Sequence, residues 1–251
     1  MNDKSFRYCR TLFEKGAYSN IDYLIRKRYS FIIKNIDANE KGIEFGAGAG
    51  LSSFFLKDYN IIVTDYCESE WLDIKNVNAE DSVFDDCSFD YIIMSNVIHH
   101  LDKPKLFFEE ALRILKPGGR IIVIEPYSSI LLKVFLAIKK HEQINYTLNP
   151  LLKDYSFNRI AKTDIDGNNA VGRLLFEDST LFENQFPNFQ VTYKSYEECM
   201  VFVNSGGQYV KSLYVPLPFF LLKLLNVCDR FLITVWKKMF ALGLYVVIRK
   251  K

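Results

Sequence analysis

KGIEFGAGAG, residues 41–50, sets three glycines at alternate positions directly after a short apolar run. Ile43-Glu44-Phe45 suits a buried strand, and Leu51-Ser52-Ser53-Phe54-Phe55-Leu56 can open a helix. A strand, a glycine turn and a helix start make a ligand cradle. Glycine lets the backbone take positive φ and approach a bound molecule closely, and the helix start offers unpaired N–H groups. The nicotinamide fingerprint requires G-x-G-x-x-G. Here Gly46, Gly48 and Gly50 give G-x-G-x-G, with Leu51 where that fingerprint has its last glycine. The spacing therefore argues against a nicotinamide-dependent oxidoreductase.

The surrounding chain has 251 residues, 49% of them hydrophobic, enough for one large domain with a cap. Its net charge of +2 carries no polyanion-binding signature, so no nucleic-acid partner is expected. The charge is uneven: from Ser205 onward, eight Lys and Arg face one acid, Asp229. The five cysteines form no C-x-x-C pair and read as reduced, buried thiols of a cytoplasmic protein. MNDKSFRYCRTLFEK lacks an apolar core, so no signal peptide is predicted.

Between residues 40 and 126 strand and helix patterns alternate. Strands are predicted at 42–46, 61–64, near 74–77, at 91–94 and at 120–124, as β-branched runs suited to a parallel sheet covered on both faces. A helix is predicted from Pro104 to Lys116, capped by Asp102 and stopped by Gly118-Gly119. Residues 20–36 and 128–140 look helical, 141–170 loop-like, 189–203 and 244–248 extended, and 218–240 a long apolar helix. The chain divides into a helical lid (1–39), a core (40–127), a variable substrate cap (128–188) and a C-terminal part (189–251) holding the apolar helix, all one domain.

A nucleoside cradle needs an acid at the tip of the next strand to accept from ribose hydroxyls. Asp65 closes IIVTD there, Tyr66 follows where it can cover a purine, and Asn78-Ala79-Glu80 end the third strand. Together with Phe89-Asp90-Tyr91-Ile92-Ile93, Asn96-Val97-Ile98-His99-His100-Leu101 and Leu115-Lys116-Pro117-Gly118-Gly119, this series resembles the class I S-adenosylmethionine-dependent methyltransferases, in their order and spacing over residues 40–126. The run FDYII…HHL…LKPGGR is most similar to the branch acting on small molecules, lipids and sugars.

The resemblance implies an α/β, Rossmann-like, doubly wound and mostly parallel seven-stranded sheet with helices on both faces and a helical cap. It implies S-adenosylmethionine as cofactor, with Glu44, Gly46, Ala47 and Gly48 around the methionine part. Asp65 would hold the ribose, Tyr66 and Ala79 flank the adenine, and Asn78 or Glu80 contact its amino edge. Ser95 and Asn96 would stand near the sulfonium. The absence of N-P-P-Y after strand four argues against methylation of nucleobase amines.

Transfer to a hydroxyl also requires removal of a proton. His99 stands just past the tip of strand four, and an imidazole suits base work near neutrality. Glu125 and Tyr127, past strand five, are alternative bases or substrate contacts. No metal spacing is found. Arg26 or Arg28 could reach a cofactor carboxylate, or else belong to a solvated helix face. In the tail helix, Lys223, Arg230 and Lys237 recur every seven residues among apolar neighbours. That helix either roofs an acceptor pocket or dips into a membrane surface, peripheral to its inner face. The expected activity is methyl transfer to a small-molecule, sugar or lipid-linked acceptor, more often at oxygen; a cofactor-binding protein without catalysis is the alternative.

Overall fold

Two helices, α1 (Asp3–Glu14) and α2 (Ser19–Ile33), precede β1 (Lys41–Phe45). The glycine turn, a short α3 (Ser52–Phe55), β2 (Asn60–Asp65) and β3 (Ile74–Lys75) follow. Next come β4 (Phe89–Ser95), a 3₁₀ turn at Ile98–His100, α4 (Pro104–Ile114) and β5 (Leu115–Pro126). The remainder is α5 (Ile130–Lys139), α6 (Val171–Phe176), α7 (Ser179–Gln185), β6 (Phe189–Glu197), α8 (Met200–Val203), α9 (Phe219–Phe240) and β7 (Gly243–Lys250). The computed structural model describes residues 3–16, 19–139, 142–152, 155, 167–207 and 212–251; most of 153–166, with Tyr18, His141 and Lys211, lies outside them.

The seven strands form one sheet in the order β3-β2-β1-β4-β5-β7-β6. All neighbours pair in parallel except β7, which runs antiparallel to β5 and β6. The chain leaves β3 at one edge and returns as β4 beside β1, so the winding reverses between β1 and β4. Ligands of open α/β sheets bind at that reversal, outside the carboxyl ends of the strands.

Alternation along the central strands fills two cores. Ile92, Met94, Ile121 and Val123 pack with Phe107 and Phe108 of α4 and with Phe176 and Phe182 of α6 and α7. Tyr91, Ile93, Ile122 and Ile124 pack on the other face with Leu24, Ile25 and Ile32 of α2 and Phe6 of α1. Burial on both faces is why these strands read as continuous apolar runs.

Several expected boundaries move, each for a local reason. The helix from Pro104 ends at Ile114, because Leu115 turns extended (φ −75°, ψ 139°) and pairs with Phe89. The Gly118-Gly119 pair thus lies inside β5, Gly118 at φ +77° beside a register shift. Asp102 is not the cap; Lys103 holds that position without a side-chain cap bond, its N–H donating to Glu80 Oε1 at 2.6 Å. The third strand stops at Lys75, and the strand from Phe189 stops at Glu197, where Glu198 takes φ +62° and leads into α8. The expectation of buried thiols holds for Cys9 and Cys199 but not for Cys87 and Cys228, which are exposed.

α9 packs inward through Leu222, Asp229 and Ile233. Asp229 is fully buried and accepts from the N–H groups of Cys199, Met200 and Val201 at 2.9–3.1 Å, capping α8. Among the described residues, no helix is long and apolar enough to cross a membrane. Asp229→Ala should remove the acceptor of three N–H groups and cost about 2–4 kcal/mol, read as a lower urea midpoint at unchanged slope. An unmoved midpoint would show that the start of α8 is satisfied without it.

Candidate active site

At the carboxyl ends of β1, β2, β4 and β5 opens a cavity of about 950 Å³. It brings together most of the residues singled out in the sequence as site candidates, though not Tyr127 or Arg26. Glu44, Gly46, Ala47 and Gly48 come from β1 and its loop, Asp65 and Tyr66 from the tip of β2, and Asn78, Ala79 and Glu80 from the segment after β3. Ser95, Asn96 and His99 come from the end of β4, and Glu125 from the end of β5.

The three glycines of the turn all take positive φ, +71° at Gly46, +55° at Gly48 and +61° at Gly50. Two of them serve the protein's own packing. A Cβ on Gly46 would lie 2.3 Å from Val97 Cγ2, and one on Gly50 would lie 2.7 Å from Trp71 Cβ. Gly48 donates its N–H to Asp65 Oδ2 at 2.7 Å, tying the turn to the tip of β2. Asp65 Oδ1 accepts from Cys67 N at 2.7 Å. Burial pushes the Asp65 carboxyl upward, against the stabilising bonds from Cys67 and Gly48. α1 braces the turn from outside, where Arg10 donates to the carbonyl of Gly50 at 2.9 Å.

Glu44 is buried behind this turn. Its Oε2 makes no hydrogen bond of good geometry, and burial pushes its carboxyl up to about 7, opposed by the nearby Ser52 hydroxyl and aided by the Asp65 charge. An unpartnered buried carboxylate oxygen in a cavity wall asks for a cationic or donating group.

The rim beyond Asp65 is looser. Tyr66 is 65% exposed while Ala79 is buried. Asn78 Oδ1 accepts from Glu80 N at 3.0 Å, an Asx turn that fixes the loop. Glu80, its carboxyl raised by burial, accepts from Lys103 N.

At the opposite end, Glu125 has no exposed surface. Its Oε1 accepts from Val97 N and Ile98 N, both at 2.8 Å, and its Oε2 lies 2.7 Å from His99 Nδ1. Both oxygens are thus occupied, one of them by His99. That leaves His99 Nε2, 3.6 Å from Glu142 Oε2. Burial alone would lower the His99 pKa, but the charges of Glu125 and Glu142 dominate and push it up to about 10. The direction runs against the expected titration near neutrality, because the two carboxylates favour the protonated ring. Tyr127 is not a substrate contact; it is fully buried and its hydroxyl donates to Glu177 at 3.0 Å.

The sequence predicts no metal, yet one group among the described residues could hold a cation. Donor atoms of His99, His100 and Glu142 lie within 4.8 Å of one another. A protonated His99 beside Glu142 meets the same charge requirement. Nothing in the local spacing of HHL announces this cluster, because Glu142 arrives from the loop after α5 and is oriented by Asn169 Nδ2 at 2.7 Å.

The arginines of α2 divide. Arg26 pairs with Asp22 on the surface. Arg28 lines the cavity, but its fork is closed on Glu198 by two bonds of 2.7 Å, and Tyr245 OH donates to the same carboxylate. It is neither solvated nor free for a cofactor carboxylate. Sequence reasoning missed Glu198, since its left-handed backbone leaves no composition signal. It also missed the apolar wall formed by Leu132, Phe135 and Leu136 of α5 with Phe202.

A methyltransferase-domain model matches residues 43–123. The chain is 30% identical to a demethylmenaquinone methyltransferase of Clavibacter sepedonicus, over 35% of this chain and 42% of that protein. It is 27% identical to the mitochondrial 2-methoxy-6-polyprenyl-1,4-benzoquinol methylase of Caenorhabditis elegans, over 48% of this chain and 35% of the relative. The chain thus aligns with about two fifths of the length of the first of these relatives. Among solved structures, an S-adenosylmethionine-dependent methyltransferase from Archaeoglobus fulgidus shares the fold, with a TM-score of 0.53 at 15% identity, covering 91% of this chain and 93% of that one. Residues 43–123 thus match a methyltransferase domain, and the sheet shares the Rossmann-like fold of a solved S-adenosylmethionine-dependent methyltransferase. The family's cofactor is S-adenosylmethionine, and the cavity fits it: a glycine turn, a ribose-side acid at Asp65, and an unpartnered Glu44 oxygen suited to its ammonium.

S-adenosylhomocysteine should therefore raise the melting temperature, whereas NAD should not. Asp65→Ala should weaken its binding by about 1.5–3 kcal/mol in calorimetry. Gly48→Val should abolish binding in a folded protein, because a β-branched residue cannot hold φ near +55° without shifting the turn. Normal affinity in either variant would remove that residue from the cofactor site.

Proposed function

We propose that this protein transfers a methyl group from S-adenosylmethionine to a small-molecule or lipid-linked acceptor, at oxygen. The observation that carries this reading is one cavity holding both the Gly48–Asp65 turn and the His99–Glu125 pair. When bound, the cofactor supplies an electrophilic methyl group. Glu44, Gly46, Ala47, Gly48 and Asp65 would hold its polar parts, Tyr66, Asn78, Ala79 and Glu80 its base, and Ser95 the region of the reacting centre.

The protein's own work is alignment, exclusion of water and removal of a proton. Leu24 and Ile25 of α2, with Leu132, Phe135 and Leu136 of α5, make the wall beyond the cofactor end apolar. This supports an acceptor with a hydrocarbon part. His99 takes the hydroxyl proton on Nε2 while Glu125 fixes the ring through Nδ1 and stabilises the imidazolium. The resting imidazolium must first give its proton to solvent hydroxide, a loss that becomes easier as the pH rises toward its raised pKa. The relatives named for quinone substrates support an acceptor of this size and apolarity. We place the protein in the cytoplasm, where a lipid-linked acceptor would bring it to the inner membrane face; no nucleic acid is involved.

With labelled cofactor and host extract, His99→Ala should lower the transfer rate by about 10²–10⁴ while leaving S-adenosylhomocysteine affinity intact. A base with a raised pKa is competent only after deprotonation, so the wild-type rate should climb with pH from neutrality toward about 10. Glu125→Gln removes the largest charge holding that proton and should move the limb to lower pH. Chelators should leave the rate unchanged; a loss restored by a divalent ion would transfer the role to a cation on His99, His100 and Glu142. Cofactor binding with no labelled product in any extract would favour a binding protein without catalysis.

A further inference from the structure

α9 does not roof the cavity. Among the described residues lining it, none belongs to Phe219–Phe240, and the helix instead turns much of its apolar side outward. Phe220, Leu224, Val227, Phe231 and Val235 are each more than half exposed. They succeed one another at intervals of four, three, four and four, which on a helix is a single stripe about 22 Å long. Trp236, also more than half exposed, follows where the helix breaks its φ/ψ (−153°, 79°). α5 packs against α9, and its Ile130, Val134 and Ile138 are exposed at four-residue spacing. Ordered apolar faces of this kind mark a contact with something apolar.

The charge on these helices says what that is. Lys223 and Arg230 of α9 are exposed, as are Lys133 and Lys139 of α5; Lys238, also exposed, stands 3.8 Å from Glu177. Their one acid, Asp229, is fully buried under α9. Lys223 and Arg230 run along one flank of the apolar stripe, roughly 80–100° round the helix. Every exposed charge of the two helices is therefore positive. A second copy docking symmetrically would set this cationic face against itself. An anionic bilayer satisfies both features: apolar side chains enter the acyl boundary and the cations meet headgroups.

We infer that the outer faces of α5 and α9 dock the protein flat on an anionic lipid bilayer, with the Phe220–Val235 stripe in the interface. Trp236 sits where an interfacial indole belongs. α5 links this surface to the cavity, because Leu132, Phe135 and Leu136 line the cavity while Ile130, Val134 and Ile138 face outward. A bilayer-borne acceptor thus meets the cavity wall without crossing bulk water. This delivery step rests on the acceptor class proposed above; the docking itself does not.

The test is co-sedimentation of the full chain with phosphatidylglycerol–phosphatidylcholine vesicles and with phosphatidylcholine alone, at low and high salt. Binding is expected on the anionic vesicles, at least tenfold weaker on the neutral ones, and reduced by salt. Leu224→Asp with Phe231→Asp changes only exposed positions, so melting and S-adenosylhomocysteine binding should persist while vesicle affinity falls at least tenfold. Lys223→Glu with Arg230→Glu and Lys238→Glu should do the same. Absence of sedimentation at low salt, equal binding by the variants, or a vesicle-free dimer dissolved by Phe231→Asp would each overturn the docking. Because cofactor binding is read separately, such failure is distinguishable from failure of the methyltransferase reading.

Discussion

A carboxylate with no exposed surface, Glu125, ties the ends of the two central strands together. One oxygen collects the N–H groups of Val97 and Ile98, which the chain exposes as it leaves β4, and the other holds His99. Its charge is costly to bury and is compensated only because these donors converge on it. The loop after β4 consequently has one conformation, and Val97 is pressed against the backbone of Gly46, where no side chain would fit. The glycine turn and the loop after β4 are thus mechanically joined through a single buried carboxylate.

The two ends differ in electrostatic character. At the glycine turn, Glu44 and Asp65 stand close together, both raised by burial, and Glu44 keeps an oxygen without a partner. That end invites positive charge. At the other end His99 lies between two carboxylates, Glu125 and Glu142, which favour its protonated form. Arg28 and Glu198, although on the same cavity, neutralise each other and brace α2 against the sheet. α2 is therefore held by a buried pair whose breakage leaves an unpaired charge.

Much of the core was legible because its signals are local. Gly46, Gly48 and Gly50 demand positive φ, β-branched runs demand burial on both faces, and Asp65 falls at a strand tip by simple counting. What stayed hidden depends on distant partners. No pattern in YIIMSNVIHHL says that His99 will face Glu142 as well as Glu125. Leu115 reads as a helix residue until Phe89 is found beside it. The tail helix shows the limit most clearly: its amphipathicity is plain in the sequence, but which side faces inward is decided by Asp229 reaching the start of α8. A buried acid turned the apolar stripe outward, the opposite of a pocket roof.

The most direct test of this account is nitrogen NMR of the imidazole rings in histidine-labelled protein, titrated with pH and with S-adenosylhomocysteine. One histidine, assigned by its loss in His99→Ala, should remain protonated well above neutrality, titrate near 10, and shift when S-adenosylhomocysteine binds. In Glu125→Gln its titration should move down. A His99 that titrates at the ordinary value of about 6.5 and ignores the ligand would contradict the claim that one carboxylate joins the two ends of a single active site.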